Sequence, residues 1–89
     1  MIYNTSSEGI SFIKEFEGLK LKAYKCSAGK NTIGYGHVIV GSSDKIITKE
    51  VADELLARDL VQTENSVVRN ISRTLCQYEF DALVSFTFN

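Results

Sequence analysis

The chain has 89 residues, 44% of them hydrophobic and 24% charged, and a formal net charge of -1. This is the composition of one small globular domain, with no global field to draw it to nucleic acid or to an anionic membrane. Two cysteines, Cys26 and Cys76, and one histidine, His37, are too few for a disulfide framework or a closed zinc site, so no metal and no cofactor is implied. The opening residues, Met1 to Glu8, lack a basic stretch before an apolar core, and no apolar run approaches the ~20 residues of a membrane helix. The expectation is therefore a cytoplasmic chain with no signal peptide and no membrane insertion.

Thr5 and Glu8 stand three apart, as N-cap and N3 of a capping box. Ile10, Ile13 and Phe16, with Phe12 alongside, recur at helical spacing and predict a first helix over about 6–16. Gly18 follows, at a common place for a left-handed C-cap. From Leu19 to Ile47 the pattern changes to short antiparallel strands near 20–25, 31–35 and 45–47. Four of the six glycines, Gly29, Gly34, Gly36 and Gly41, fall here. Lys20, Lys22, Lys25 and Lys30 cluster near this segment; they read first as a solvated strand-and-turn face, the alternative being a local basic patch for a polyanionic partner.

Thr48 then caps a long helix with Glu50 in its first turn, favourable against the dipole. No Pro or Gly interrupts it before Ile71, and Val51, Ala52, Leu55, Leu56, Leu60, Val67 and Val68 give it a broad apolar stripe. Thr74 and Gln77 form a further capping box, followed by Phe80, Leu83, Val84, Phe86 and Phe88. This last helix is apolar on most of its circumference, as in the interior of a larger core. The sequence reads as cut off within a domain; the alternative is a natural end covered by a dimer partner.

Chemistry concentrates between Phe16 and His37. A carboxylate (Glu17), a thiol (Cys26) and a hydroxyl (Thr32) surround a glycine-rich run, Thr32-Ile33-Gly34-Tyr35-Gly36-His37, and look like a site rather than a core. The two glycines around Tyr35 lack the third glycine and the Lys-Ser/Thr of a phosphate loop, and read as tight backbone in a hairpin.

Four ordered segments carry a resemblance. They are Glu17-Gly18-x-x-Leu21-x-Ala23-Tyr24, the run from Thr32 to His37, Ile47-Thr48-Lys49-Glu50-x-Ala52-x-x-Leu55-x-x-x-Asp59, and Phe80-Asp81-Ala82-Leu83-Val84-Ser85-Phe86-x-Phe88-Asn89. Together they resemble the phage-type lysozymes, or endolysins, of glycoside hydrolase family 24. The resemblance implies an α+β, lysozyme-like fold, with a small antiparallel β-hairpin lobe, a long connecting helix and an incomplete C-terminal helical lobe. Residues 1–89 would then be the N-terminal portion of one such domain: helix and β-lobe at 1–47, connecting helix at 48–72, first helix of the second lobe at 73–89.

The resemblance also implies an activity, hydrolysis of the β-1,4 bond between N-acetylmuramic acid and N-acetylglucosamine in bacterial peptidoglycan at the end of a phage cycle. By position Glu17 is the general acid, which such chemistry needs because an alkoxide leaves poorly. Thr32 matches a hydroxyl that holds the attacking water. Cys26 departs from the family's commoner Asp, and stands as a thiolate base or water-positioning group. Val38 and Phe88 align with positions lining the saccharide cleft. His37 is expected to pair with Asp59 and pin the hairpin to the long helix, a structural role. A separate holin-type pore would give access to the wall. The competing reading is a catalytically inactive prophage remnant with at most weak glycan binding.

Overall fold

The computed structural model describes residues 3–41 and 44–88. Met1 and Ile2, at the start of the chain, and Asn89, the last residue of the expected final helix, lie outside the described residues. The elements are α1 (Ser7–Glu17), β1 (Lys20–Lys25), β2 (Asn31–Gly34), β3 (His37–Val38), α2 (Lys49–Asn70) and α3 (Gln77–Phe88). They fall into two compact units, one made of Met1–Phe16 with Asp59–Asn89, the other of Glu17–Arg58.

The first is a helical unit. Its buried apolar residues are Ile13, Leu60, Val67, Leu75, Phe80 and Val84. Polar side chains tie its segments together. The Thr5 N–H and hydroxyl both donate to Glu64 Oε2, at 2.7 and 2.6 Å. Ser6 donates through its N–H to Asp81 Oδ1 at 3.0 Å and through its hydroxyl to Asp81 Oδ2. Gly9 sits inside α1 at some cost in helix propensity. A Cβ there would stand 2.7 Å from Asp81 Cγ and 2.9 Å from Thr5 Cγ2, so only glycine permits this approach. The Tyr3 and Phe80 rings stack at 5.0 Å, and the Leu75 N–H donates to the Tyr3 hydroxyl at 3.0 Å.

Two caps differ from the sequence expectation. Ser6, not Thr5, caps α1, its Oγ accepting the Gly9 N–H at 3.1 Å; Thr5 is occupied by Glu64. At α3 the capping contact joins Cys76 and Glu79 rather than Thr74 and Gln77. Glu79 Oε1 accepts the Cys76 N–H at 3.0 Å, and Gln77 instead donates to Asn4 O and Asp81 Oδ1.

The hairpin unit is a three-stranded antiparallel sheet of order β1-β2-β3, joined to the first turns of α2. Tyr24 pairs with Thr32 and Lys25 with Asn31, but Lys20 pairs with Gly34, so a bulge interrupts β1 between Lys20 and Tyr24. β3 was not expected: two residues are too short to show a period. The strand expected near 45–47 is instead a single bridge, Lys22 to Ile46, flanked by Ala23 N–H to Lys45 O at 3.2 Å and Ile47 N–H to Leu21 O at 2.8 Å. Thr48 caps α2 as expected, accepting the Val51 N–H at 3.2 Å. Ile33, Tyr35, Ile47, Ala52 and Leu56 are buried. A Cβ on Gly34 would meet Ala52 at 3.5 Å, so small residues let the hairpin lie close to α2.

Candidate active site

Glu17, Cys26 and Thr32 all belong to the hairpin unit. Glu17 is the last residue of α1, and Gly18, at φ +75°, turns the chain out of the helix. Its carboxylate lies against the backbone of the β2–β3 turn: a Cβ added at Gly36 would stand 2.7 Å from Glu17 Oε1. Glu17 is half-buried, and loss of solvent raises its pKa above the ordinary carboxylate value. Burial penalises the anion, which favours the protonated form that a general acid must supply.

Cys26 opens the turn after β1. Its N–H donates to Lys30 O at 2.9 Å, and its carbonyl accepts the Gly29 N–H at 2.8 Å. The thiol is free and half-exposed. Hydrogen bonds from the Lys30 backbone first, then the Ala28 backbone and the Thr32 side chain, lower its pKa, because each favours the thiolate. The Glu17 and Cys26 shifts run in opposite directions and draw the two groups' titrations together. A thiol ordinarily ionises well above a carboxylic acid, so convergence is what an acid–base pair of these two residue types requires.

The Thr32 hydroxyl donates to Lys30 O at 3.1 Å and is also within hydrogen-bonding reach of Cys26. It has one proton and two lone pairs. When it donates to Lys30 O it presents a lone pair to the thiol; when it donates to the thiolate it releases the carbonyl. Thr32 is only 3% exposed, so Cys26 is the more accessible partner.

Val38 lies on β3, paired with Thr32 across the ladder and exposed. His37 pairs with Ile33 on the same ladder. Lys20, Lys22, Lys25 and Lys30 are all exposed. Asp59 and Phe88 belong to the helical unit, near the middle of α2 and at the end of α3. That unit also holds a concavity of about 480 Å³ lined by Gly9, Phe12, Phe16, Asp81, Ala82, Ser85 and Phe86. Among the described residues no group of three or more His, Cys, Asp and Glu is placed to hold a metal ion, and no helix is long and apolar enough to cross a membrane.

The sequence did not reveal two features of the site. One is the pair of backbone donors at Ala28 and Lys30, whose only signal was the turn around Gly29. The other is Gly36, which the Gly-x-Gly spacing marks as tight backbone but does not connect to Glu17.

The family model for phage lysozyme matches residues 14–89. The endolysin of Acyrthosiphon pisum secondary endosymbiont phage 1 is 40% identical over 84 residues, covering 94% of this chain and 58% of that endolysin. The endolysin of Salmonella phage P22 is 42% identical over 89 residues, covering 94% of this chain and 61% of its own length. The solved muramidase domain of SpmX from Asticaccaulis excentricus matches with a TM-score of 0.90 at 39% identity, over 98% of this chain and 59% of that one. The chain thus spans about three fifths of the length of each of these relatives. The three helices and small antiparallel sheet among the described residues are those of a lysozyme-like α+β fold, and the chain belongs to the phage lysozyme family.

Proposed function

We propose that this chain carries the acid and water-activating groups of a peptidoglycan hydrolase. It would cleave the β-1,4 bond between N-acetylmuramic acid and N-acetylglucosamine to lyse a host cell, reaching the wall through a separate pore. The observation that carries this reading is the half-buried Glu17, against the β2–β3 turn and with its raised pKa, in the same unit as Cys26 and the Thr32 hydroxyl within its reach. Family membership and the names of its relatives support the substrate class.

In the proposed mechanism protonated Glu17 gives its proton to the glycosidic oxygen as the bond to the anomeric carbon breaks. Water attacks that carbon from the opposite face. Cys26, with Thr32 behind it, orients this water and takes its proton, leaving a reducing sugar of inverted configuration. Val38, exposed on β3, contacts saccharide.

A second reading, glycan binding without turnover, is favoured by the exposed aromatic rings of Phe12, Phe16 and Phe86 around the concavity of the helical unit, because a working cleft needs a rigid, well-packed support. Turbidity of chloroform-treated bacteria, followed together with a far-UV circular dichroism melt, separates the two. Cooperative melting with falling turbidity supports hydrolysis. Cooperative melting with constant turbidity, and retention on insoluble peptidoglycan, supports binding alone.

A further inference from the structure

The β2–β3 turn contains a glycine whose missing side chain is occupied by another residue's functional atom. Gly36 has φ +79°, and its absent Cβ would lie 2.7 Å from Glu17 Oε1 and 3.6 Å from Glu17 Cδ. The nearest neighbour of that absent atom is thus not backbone or apolar packing but the carboxylate itself. Gly18, Gly29 and Gly41 have similar positive φ, of +75°, +78° and +87°, and their absent Cβ atoms would meet nothing within 4 Å. The fold therefore separates two reasons for glycine. At those three positions backbone conformation alone requires it; at Gly36 conformation and the seat of a carboxylate require it together.

We propose that Gly36 is a positioning residue for the Glu17 carboxyl group: its bare Cα forms the wall against which Oε1 rests, and any side chain there would push the carboxyl out of its half-buried seat toward solvent.

The inference deepens the reading of Glu17 as the acid and rests on it, but its consequences can be read without turnover. A displaced carboxyl is better hydrated, so the cause that raises its pKa weakens and the value falls back toward that of a free glutamate. A residue needed only for backbone conformation would leave that titration unmoved.

The test compares Gly36→Ala with Gly41→Ala, which bears the same kind of backbone strain in open space. Both are also made in a Glu17→Ala background. Thermal melts by circular dichroism give the coupling of Gly36 to Glu17. The expected result is that the change in Tm caused by Gly36→Ala differs between the Glu17 and Glu17→Ala proteins by at least a few degrees, on the scale of roughly 4–8 °C per kcal/mol for a chain this size. Gly41→Ala should lower Tm equally in both backgrounds. Carbon-13 titration of the Glu17 carboxyl should show its pKa falling in Gly36→Ala and unchanged in Gly41→Ala. If Gly36→Ala is unfolded, its recovery on adding Glu17→Ala supports the wall. Equal losses in both backgrounds, failure of Glu17→Ala to restore folding, or an unchanged Glu17 titration in a folded Gly36→Ala protein would overturn it. Absence of lysis by the unsubstituted chain, with coupling intact, would count against the hydrolase reading and not against the wall.

Discussion

The two compact units bury different things. The helical unit buries large apolar side chains: Phe80 and Val84 are fully enclosed and Ile13 is nearly so. It nevertheless leaves Phe12, Phe16 and Phe86 at 58, 66 and 82% exposure. The hairpin unit encloses less apolar bulk and more constraint. Thr32 is buried with its hydroxyl shared, Glu17 is half-buried, and glycines at Gly34 and Gly36 hold the β2–β3 turn at positive φ. Stability is concentrated where the side chains are ordinary, and chemistry where polar groups are held at a cost. Substitutions in the two units should therefore separate stability from activity.

The largest effect is expected in the helical unit. Phe80→Ala removes a fully buried ring, a change that costs about 3–5 kcal/mol against a total stability of only about 5–15 kcal/mol. A thermal melt should fall by about 15 °C or more, and any lytic activity should disappear with the folded protein.

Glu17→Gln should do the reverse. It removes the proton donor, and loss of an acid–base catalyst costs about 10²–10⁴-fold in rate. It should also stabilise the chain at neutral pH. Burial raises the Glu17 pKa, so the folded state binds this proton more tightly than the unfolded state. Its contribution to stability is complete below the unfolded pKa of ~4.3 and is lost as pH rises through the higher folded value. Glutamine carries no such penalty. Melts across pH should show the variant gaining on the parent as pH rises above about 4, with no difference in more acid solution.

Cys26 offers a narrower division. Serine cannot become an anion at working pH, so Cys26→Ser should lower lysis about 10²-fold, the low end of about 10²–10⁴-fold for a lost base. Cys26→Asp should preserve lysis, since its carboxylate ionises below Glu17 and restores the ordinary acid–base order. Turbidity assays of both variants decide the matter, and an unaffected Cys26→Ser protein removes Cys26 from the mechanism.

The smallest effect belongs to the surface of the helical unit. Arg73 and Glu79 form a 2.6 Å ion pair, and the Arg73 hydrogen bond holds Glu79 down to about 2. Its contribution is present above the unfolded carboxylate pKa and is lost as pH falls toward that lower value. The pair is solvated and screened. Glu79→Gln should lower Tm slightly at pH 7, and the deficit should close in melts taken toward pH 2.

Helix positions were legible because three long apolar periods dominate the chain, and α2 begins where Thr48 announces it. Caps were less so. Thr5 and Ser6 are both competent N-caps, and what decides between them is Glu64, 59 residues away, which takes Thr5. Short pairings such as His37 with Ile33 carry no period to read. The site shows the same limit. Cys26 and Thr32 flank one turn, so local spacing brings them together. The contact of Glu17 with Gly36 joins a helix end to a distant turn, and a glycine gives no chemical hint of what fills its place.

The most direct measurement is the release of reducing ends from purified peptidoglycan by the unsubstituted chain and by Glu17→Gln, each shown by a circular dichroism melt to be folded. Steady release is expected from the first and a loss of about 10²-fold or more in the second, despite its equal or higher Tm at pH 7. Equal release by two folded proteins would contradict the assignment of Glu17 as the acid. A folded unsubstituted chain that releases none would contradict the hydrolase reading itself.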